Sequence, residues 1–355
     1  MEHNEIVHCV YFSPAFIPQQ IYYLNEWFSH FHQAFFVYNA PKQYLAQAHA
    51  NVRALKIPDQ ADFISEALSA KRVVFNNLFE EIAIRLARYP EIVGKGVWIP
   101  WGPDLYNRQE YIPDSPQKNY GMAFYRLFIS RLHGIAPLVR GDYDVAVSLY
   151  KTSAKCIELA PIIYHFESDE LDRVIALRTR KDHIAIQVGN SADPSNRHLE
   201  IFQWLAKHHD RSIRVYAPLS YGNPEYRDRV IMRGRELFGD SFVPLTAYIS
   251  HEDYNRHLVS MDVLICNHNR QQAFGNISIS LYLGTKVFLR SNVTTWSYLT
   301  EKLGCRVFDT KTIPHLSWEE LLWMHDETRE QNRNHIAVLF DRNWQKSMWQ
   351  KLYTE

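Results

Sequence analysis

The chain has 355 residues, 46% hydrophobic and 22% charged, the make-up of a globular protein with room for two domains of ordinary size. Its 39 basic and 39 acidic side chains cancel, which argues against a protein built to coat nucleic acid, where a broad basic surface is expected. The apolar runs fall short of the roughly 18 residues that a membrane-spanning helix needs, and MEHNEIVHCVYF lacks the basic-then-apolar pattern of a signal peptide, so a cytoplasmic protein with at most peripheral membrane contact is expected.

EIVHCVYF reads as a strand, and IPQQIYYLNEWFSHF follows with Ile17, Ile21, Leu24, Phe28 and Phe31 at helical spacing. AFFVY, VRALKI and KRVVF are further strands, and NLFEEIAIRLARY is a helix with Leu78, Ile82, Leu86 and Tyr89 on one face. GVWIP and GIAPLV close this first set. A second set starts near residue 183 with the strand HIAIQV, the helix NRHLEIFQWLAKHH, the strand SIRVYAPL and the helix PEYRDRVIMRGRELFG. FVPL, the helix SHEDYNRHLVSM, the strand DVLIC, the short helix NISISLYLG and the strand KVFLR continue it, and NHIAVLFDRNWQKSMWQKLY ends the chain as a helix. Two successive strand–helix series predict two parallel-sheet α/β domains, 1–175 and 183–330, joined by the polar stretch 167–182. Residues 331–355 form a C-terminal helix placed to pack back on the first domain. Cys9, Cys156, Cys266 and Cys305 are far apart and make no C-x-x-C pair, which predicts free thiols, three of them in apolar strand-like runs.

Open α/β sheets bind ligands at the carboxyl ends of their strands, in the loops that lead into helices. The first such loop of the second domain is VGNSADPSNRH: Gly189 permits a tight turn, Asn190, Ser191 and Asp193 are turn formers, and Ser195 or Asn196 can cap the helix that follows. An ordinary strand–turn–helix connection has the same composition. The second loop is NHNRQQAFGNISISLYLG, residues 267–284, in which Arg270 offers a planar fork of donors and Gln271 and Gln272 can donate and accept. Gly275 or Asn276 begins a helix whose free N–H groups suit phosphate. Together the two loops predict a diphosphate site. There is no G-x-x-x-x-G-K-[ST], no G-x-G-x-x-G after a strand, and no H-E-x-x-H or His/Cys cluster, so neither a P-loop, a dinucleotide site nor a metal site is expected.

In the first domain VWIPWGPDLYNRQEY places Trp98 and Trp101 about a strand end, turns at Gly102-Pro103 and follows with Asp104. That aspartate is either a general base toward a sugar hydroxyl or a turn and cap residue. In VRGDYDVAVSLY, Arg140 ends a strand and Asp142 can cap the next helix. NYGMAFYRLFISRLHG carries Phe124, Leu127, Phe128, Arg131 and Leu132, with Lys118 and Arg126 close by, and reads either as a membrane-surface helix or as a packed amphipathic one.

Taken in order, WGPDLY (101–106), RGD (140–142), VGNSADPSNRH (188–198), RQQAFGN (270–276) and LYLGTKVFLR (281–290) resemble the glycosyltransferases of family 56. These bacterial enzymes add 4-acetamido-4,6-dideoxygalactose (N-acetylfucosamine) from its TDP-sugar to a lipid-linked disaccharide in enterobacterial common antigen assembly. The resemblance runs from about residue 95 to 310. It implies a GT-B fold of two facing Rossmann-like domains with parallel sheets, a nucleotide-sugar donor in the C-terminal domain, and an undecaprenyl-diphosphate-linked glycan acceptor at the N-terminal one. It also implies no metal or other cofactor and a peripheral place at the cytoplasmic face of the bacterial inner membrane; an O-antigen precursor is an alternative acceptor. On that footing Arg270 and Asp104 carry catalysis, as electrostatic stabiliser and base. The donor side takes Gly189, Asn190, Ser191, Asn196, Tyr216, Tyr221, Tyr248, Gln271, Gln272, Gly275, Asn276 and Ser278, and the acceptor side Trp101, Tyr106, Arg140 and Asp142. A GT-B nucleotide-sugar enzyme of another kind, such as an epimerase, or a non-catalytic nucleotide-sugar-binding protein would share the donor loops.

Overall fold

The structure, a computed structural model, describes residues 5–14, 16–110, 116–160, 172, 173, 175, 182–208 and 212–355. The chain divides into two compact units, Met1–Tyr164 with Arg342–Glu355, and His165–Asp341.

In the first unit the strands are β1 (Ile6–Tyr11), β2 (Gln33–Tyr38), β3 (Val52–Leu55), β4 (Arg72–Asn76), β5 (Gly96–Ile99), β6 (Gly134–Ile135) and β7 (Lys155–Cys156). They form one parallel sheet in the order β3-β2-β1-β4-β5-β6-β7. β1 lies between helical layers, which is why it reads as an apolar run interrupted only by the buried His8. Its alternate residues serve the two layers: Val7 and Cys9 pack with Phe63, Phe75, Trp98, Tyr125 and Phe128, while Ile6 and Val10 pack with Ile21, Leu24, Phe28 and Trp349. The second layer includes the C-terminal helix Arg342–Thr354. Trp349 donates its indole N–H to Ala160 O (2.9 Å), and Tyr353 stacks on Phe28 at 4.2 Å and donates its hydroxyl to Gln33 Oε1 (2.7 Å).

Two local expectations change, and one pair of alternatives is decided. The helix expected from NLFEEIAIRLARY begins only at Glu80, because Asn77 adopts a left-handed conformation (φ 65°) and Leu78 offers its N–H and C=O to tertiary partners. GIAPLV shortens to Gly134–Ile135, since Pro137 cannot donate to a ladder. The helix Pro116–Ser130 is a packed amphipathic one: Phe128 and, just beyond it, Leu132 are in the core, and the exposed side carries Arg126 and Leu127.

In the second unit β8 (Ile184–Val188), β9 (Ile213–Pro218), β10 (Phe242–Leu245), β11 (Val263–Cys266), β12 (Lys286–Leu289) and β13 (Phe308–Asp309) form a parallel sheet in the order β10-β9-β8-β11-β12-β13. Helices His198–Leu205 and Pro224–Phe238 cover one face through Phe202, Val230 and Phe238, packed on Ile186, Val215, Ile265 and Phe288. The strand order reverses between β8 and β11, so the loops after Val188 and Cys266 leave the sheet side by side at its carboxyl edge. The stretch 167–182 lies mostly outside the described residues. All four cysteines are free, and among the described residues no helix is long and apolar enough to cross a membrane.

Candidate functional site

The loop after β8 turns at Gly189 with φ +71°, and a Cβ there would stand 2.5 Å from His198 Nε2 and 2.7 Å from Asn196 Oδ1, so only glycine fits. Asn196 is the hub of the loop. Its Oδ1 accepts from Asn190 N (2.9 Å) and from His268 Nε2 (2.8 Å), and its Nδ2 donates to Ser191 Oγ (3.2 Å) and Asp193 O (3.0 Å). Burial, with Arg270 close by, holds His268 down to about 3, and burial does the same to His198. Both imidazoles are therefore neutral, and His268 carries its proton on Nε2.

Gln272 ties this loop to the one after β11. Its Nε2 donates to Asn190 Oδ1 (2.8 Å) and Ser191 Oγ (3.1 Å), and its Oε1 accepts from Ser195 Oγ (2.7 Å). Asn190 Nδ2 donates to the hydroxyl of the exposed Tyr221 (2.9 Å). Arg270 is buried; its Nη1 donates to Gln271 O (3.1 Å), its Nη2 lies 3.3 Å from Asp193 Oδ2, and its Nε is buried with no acceptor among the described residues. Burial alone would raise the Asp193 carboxyl, but hydrogen bonds from Ser195 and the charge of Arg270 outweigh it and hold it below the usual range.

The helix Phe274–Tyr282 starts from Ala273, which sits in the left-handed region at φ 57° and supplies no cap. The N–H groups of Phe274, Gly275 and Asn276 make no hydrogen bond among the described residues. Space beside Gly275 is open, since a Cβ there would meet nothing within 4 Å. An uncapped N-terminus with an unfilled approach is an anion site in waiting.

A second chain of contacts runs behind it. Gln187 Nε2 donates to Gly189 O (3.1 Å) and to the Tyr254 hydroxyl (3.1 Å), while Gln187 Oε1 faces His257 Nε2 (2.8 Å). Asn276 Nδ2 donates to the same Tyr254 hydroxyl (3.0 Å), and Tyr216 stands edge-on to His257 at 5.1 Å.

The two loops thus bring together Gly189, Asn190, Ser191, Asn196, Arg270 and Gln272, with Tyr221 reaching in from the loop after β9 and Gly275 and Asn276 on the adjoining helix. They divide the expected roles. Asn196, Ser191 and Gln272 spend their bonds on groups within the two loops and brace them, whereas among the described residues the Gln271 side-chain amide makes no hydrogen bond. Ser278 is buried and donates to Phe274 O (2.8 Å), so its hydroxyl serves the helix and not a ligand. Tyr248 is 76% exposed and stands outside these bonds. Gln187, Tyr254, His257 and His268 were not foreseen; the one signal for them is the polar Gln187 inside the apolar strand HIAIQV.

In the first unit Asp104 takes the structural alternative. It is buried, its Oδ1 accepts from Trp101 N (2.8 Å), and its Oδ2 accepts from Leu78 N (2.9 Å) and Trp98 Nε1 (2.7 Å). Both oxygens are engaged in holding the turn into helix Pro103–Glu110, and the carboxyl is buried away from solvent. Tyr106 donates to Asp142 Oδ1 (2.5 Å), pairing two of the expected acceptor residues with each other. Arg140 pairs with Asp144 (2.9 Å) over the Tyr143 ring. Trp101 stands edge-on to the half-exposed Phe16 at 5.6 Å, and its indole N–H has no acceptor among the described residues. Among the described residues no three His, Cys, Asp or Glu side chains gather as metal ligands.

A family model described as "4-alpha-L-fucosyltransferase glycosyl transferase group 56" matches residues 77–355. Among solved structures, the chain is similar to Anabaena Alr3699/HepE in complex with UDP, with a TM-score of 0.71 at 10% identity, covering 99% of this chain and 100% of that one. It is also similar to a glycosyltransferase from Rickettsia africae ESF-5 (TM-score 0.66, 10% identity, 100% and 98% covered). WaaG, a glycosyltransferase involved in lipopolysaccharide biosynthesis, matches with a TM-score of 0.61 at 11% identity, 98% of each chain covered. The fold, two parallel-sheet α/β domains, is that of the GT-B glycosyltransferases.

Proposed function

The chain belongs to glycosyl transferase group 56 and is a glycosyltransferase, and from that membership we propose that it moves an N-acetylfucosamine-like deoxy-amino sugar from a nucleoside-diphosphate sugar to a lipid-linked glycan. TDP is the first nucleotide to test, with UDP beside it because HepE is described in complex with UDP. The acceptor is a hydroxyl of an undecaprenyl-diphosphate-linked oligosaccharide, in common-antigen or O-antigen assembly at the cytoplasmic face of the inner membrane, with Trp101 on the acceptor side.

The observation that carries the donor half is the open N-terminus of helix Phe274–Tyr282 beside Arg270. When the sugar–phosphate bond breaks, negative charge collects on the leaving nucleoside diphosphate. Fixed N–H dipoles stabilise it without reorganisation, and no metal is called on. The Asp193 contact at 3.3 Å is long for a charge-assisted pair, and Nε has no acceptor, so the guanidinium has capacity for a phosphate oxygen.

Calorimetric titration with TDP and UDP tests this. Wild-type protein is expected to bind at least one of them, and Arg270→Ala to bind it roughly ten- to a hundredfold more weakly, as for loss of a charged hydrogen bond. Equal affinity in a folded Arg270→Ala protein removes Arg270 from the site. A transfer assay with lipid-diphosphate-linked oligosaccharide then identifies the acceptor.

A further inference from the structure

The Tyr254 hydroxyl accepts hydrogen bonds from Gln187 Nε2 (3.1 Å) and Asn276 Nδ2 (3.0 Å). The Gln187 amide cannot be turned over, because its Nε2 also donates to Gly189 O and its Oε1 faces His257 Nε2. A phenol has one proton and two acceptor positions. Here both acceptor positions are filled, and among the described residues no carbonyl, carboxylate or hydroxyl oxygen takes the proton. Burial pushes the phenol pKa well up, so the proton stays on.

The location of this spare donor matters. Asn276 is the third residue of helix Phe274–Tyr282, whose first N–H groups are also without acceptors, and Gln187 is two residues from the turn at Gly189. Tyr254 therefore stands between the carboxyl end of β8 and the open helix N-terminus. Free donors gather there, the backbone N–H groups, Arg270 Nε–H and the phenol O–H, with the Gln271 amide, which both donates and accepts, in the same loop. Donors in that number suit a phosphate, which offers only acceptor oxygens.

We propose that Tyr254 is a phosphate-binding residue of this enzyme, its hydroxyl donating a hydrogen bond to a phosphate oxygen of the nucleoside diphosphate at the N-terminus of helix Phe274–Tyr282. The proposal rests on the donor-site reading above. It gives Tyr254 a part in the reaction too, because the hydrogen bond strengthens as charge builds on the leaving diphosphate.

The test is calorimetry of wild-type, Tyr254→Phe and Arg270→Ala proteins with TDP, UDP and inorganic pyrophosphate. Each variant's ligand-induced rise in melting temperature is taken as the difference between its own loaded and free forms. That difference cancels any change in intrinsic stability from leaving Gln187 and Asn276 without their acceptor. Tyr254→Phe is expected to lose roughly five- to tenfold in affinity for the nucleoside diphosphate and for pyrophosphate, and to lower kcat more than it raises KM for the sugar donor. Unchanged affinity in a folded Tyr254→Phe protein, with Arg270→Ala weakened, overturns the proposal and leaves the donor site standing. Wild-type protein that binds none of the three ligands overturns both. If Tyr254→Phe does not fold, 3-fluorotyrosine at position 254 keeps the shape and makes a stronger donor; tighter pyrophosphate binding is then expected, and unaltered binding overturns the proposal.

Discussion

Asp104 accepts three hydrogen bonds from three different parts of the first unit, the Leu78 and Trp101 amides and the Trp98 indole. Asparagine is nearly the same size but replaces one acceptor oxygen with an NH2 group, which then faces a buried donor. Asp104→Asn is therefore expected to lower stability by about 1–3 kcal/mol in urea unfolding, while leaving TDP affinity unchanged. A variant of wild-type stability with impaired transfer would restore its candidacy as base. The same carboxyl predicts a pH dependence. Burial raises it, hydrogen bonds from Trp98, Trp101 and Leu78 partly oppose this, and it stands at about 6 against an ordinary 3.8. The folded state then holds the proton more tightly than the unfolded chain. Its contribution to stability is greatest below about pH 4 and is lost as the pH rises through about 6, a difference of roughly 3 kcal/mol. Unfolding free energies measured from pH 4 to pH 7 should contain this fall in the wild type and lack it in Asp104→Asn.

At the scale of elements, each of the two site loops enters its helix through a left-handed non-glycine residue, Arg197 (φ 51°) and Ala273 (φ 57°). Alanine pays roughly 1–2 kcal/mol for that conformation, and its position beside an uncapped helix marks strain kept at a site. Ala273→Gly is expected to raise thermal stability by about 1 kcal/mol without removing any of the loop's side-chain bonds; a drop in melting temperature would show that the methyl group packs usefully. The position of these loops was legible in the sequence, because alternating strand and helix patterns put Gly189 and Arg270 just past buried strands. Their internal division of labour was not. Asn, Gln and Ser can bond a ligand or one another equally well, and only the fold shows Gln272 engaged by Asn190, Ser191 and Ser195. Tyr254 was less legible still, since its partners Gln187 and Asn276 come from a strand and a helix far away in sequence, and SHEDYNRHLVSM alone reads as an ordinary amphipathic helix.

At the scale of the molecule, each sheet places its first strand in the interior, between the second and the fourth, and the two orders are the same over six strands. The strands most visible as apolar runs are the central ones, whereas β7 and β13 are two residues long and at sheet edges, too short to carry a pattern. The chain's last helix, Arg342–Thr354, belongs to the first unit although it follows the second in sequence. Trp349 is its anchor, 1% exposed in the core layer shared with Ile21, Leu24 and Phe28. Trp349→Ala removes that packing and the bond to Ala160 O, a change of about 3–5 kcal/mol for a buried tryptophan. The loss belongs to the first unit, while a nucleoside diphosphate bound at the proposed site, the N-terminal end of helix Phe274–Tyr282, would stabilise the second by mass action. Denaturant unfolding of wild type and Trp349→Ala with and without saturating TDP separates the two. The transition insensitive to TDP should move to lower denaturant in the variant, and the TDP-sensitive one should keep its ligand-induced shift. Equal movement of both transitions would mean that the two units unfold as one, so that the anchor holds the whole chain.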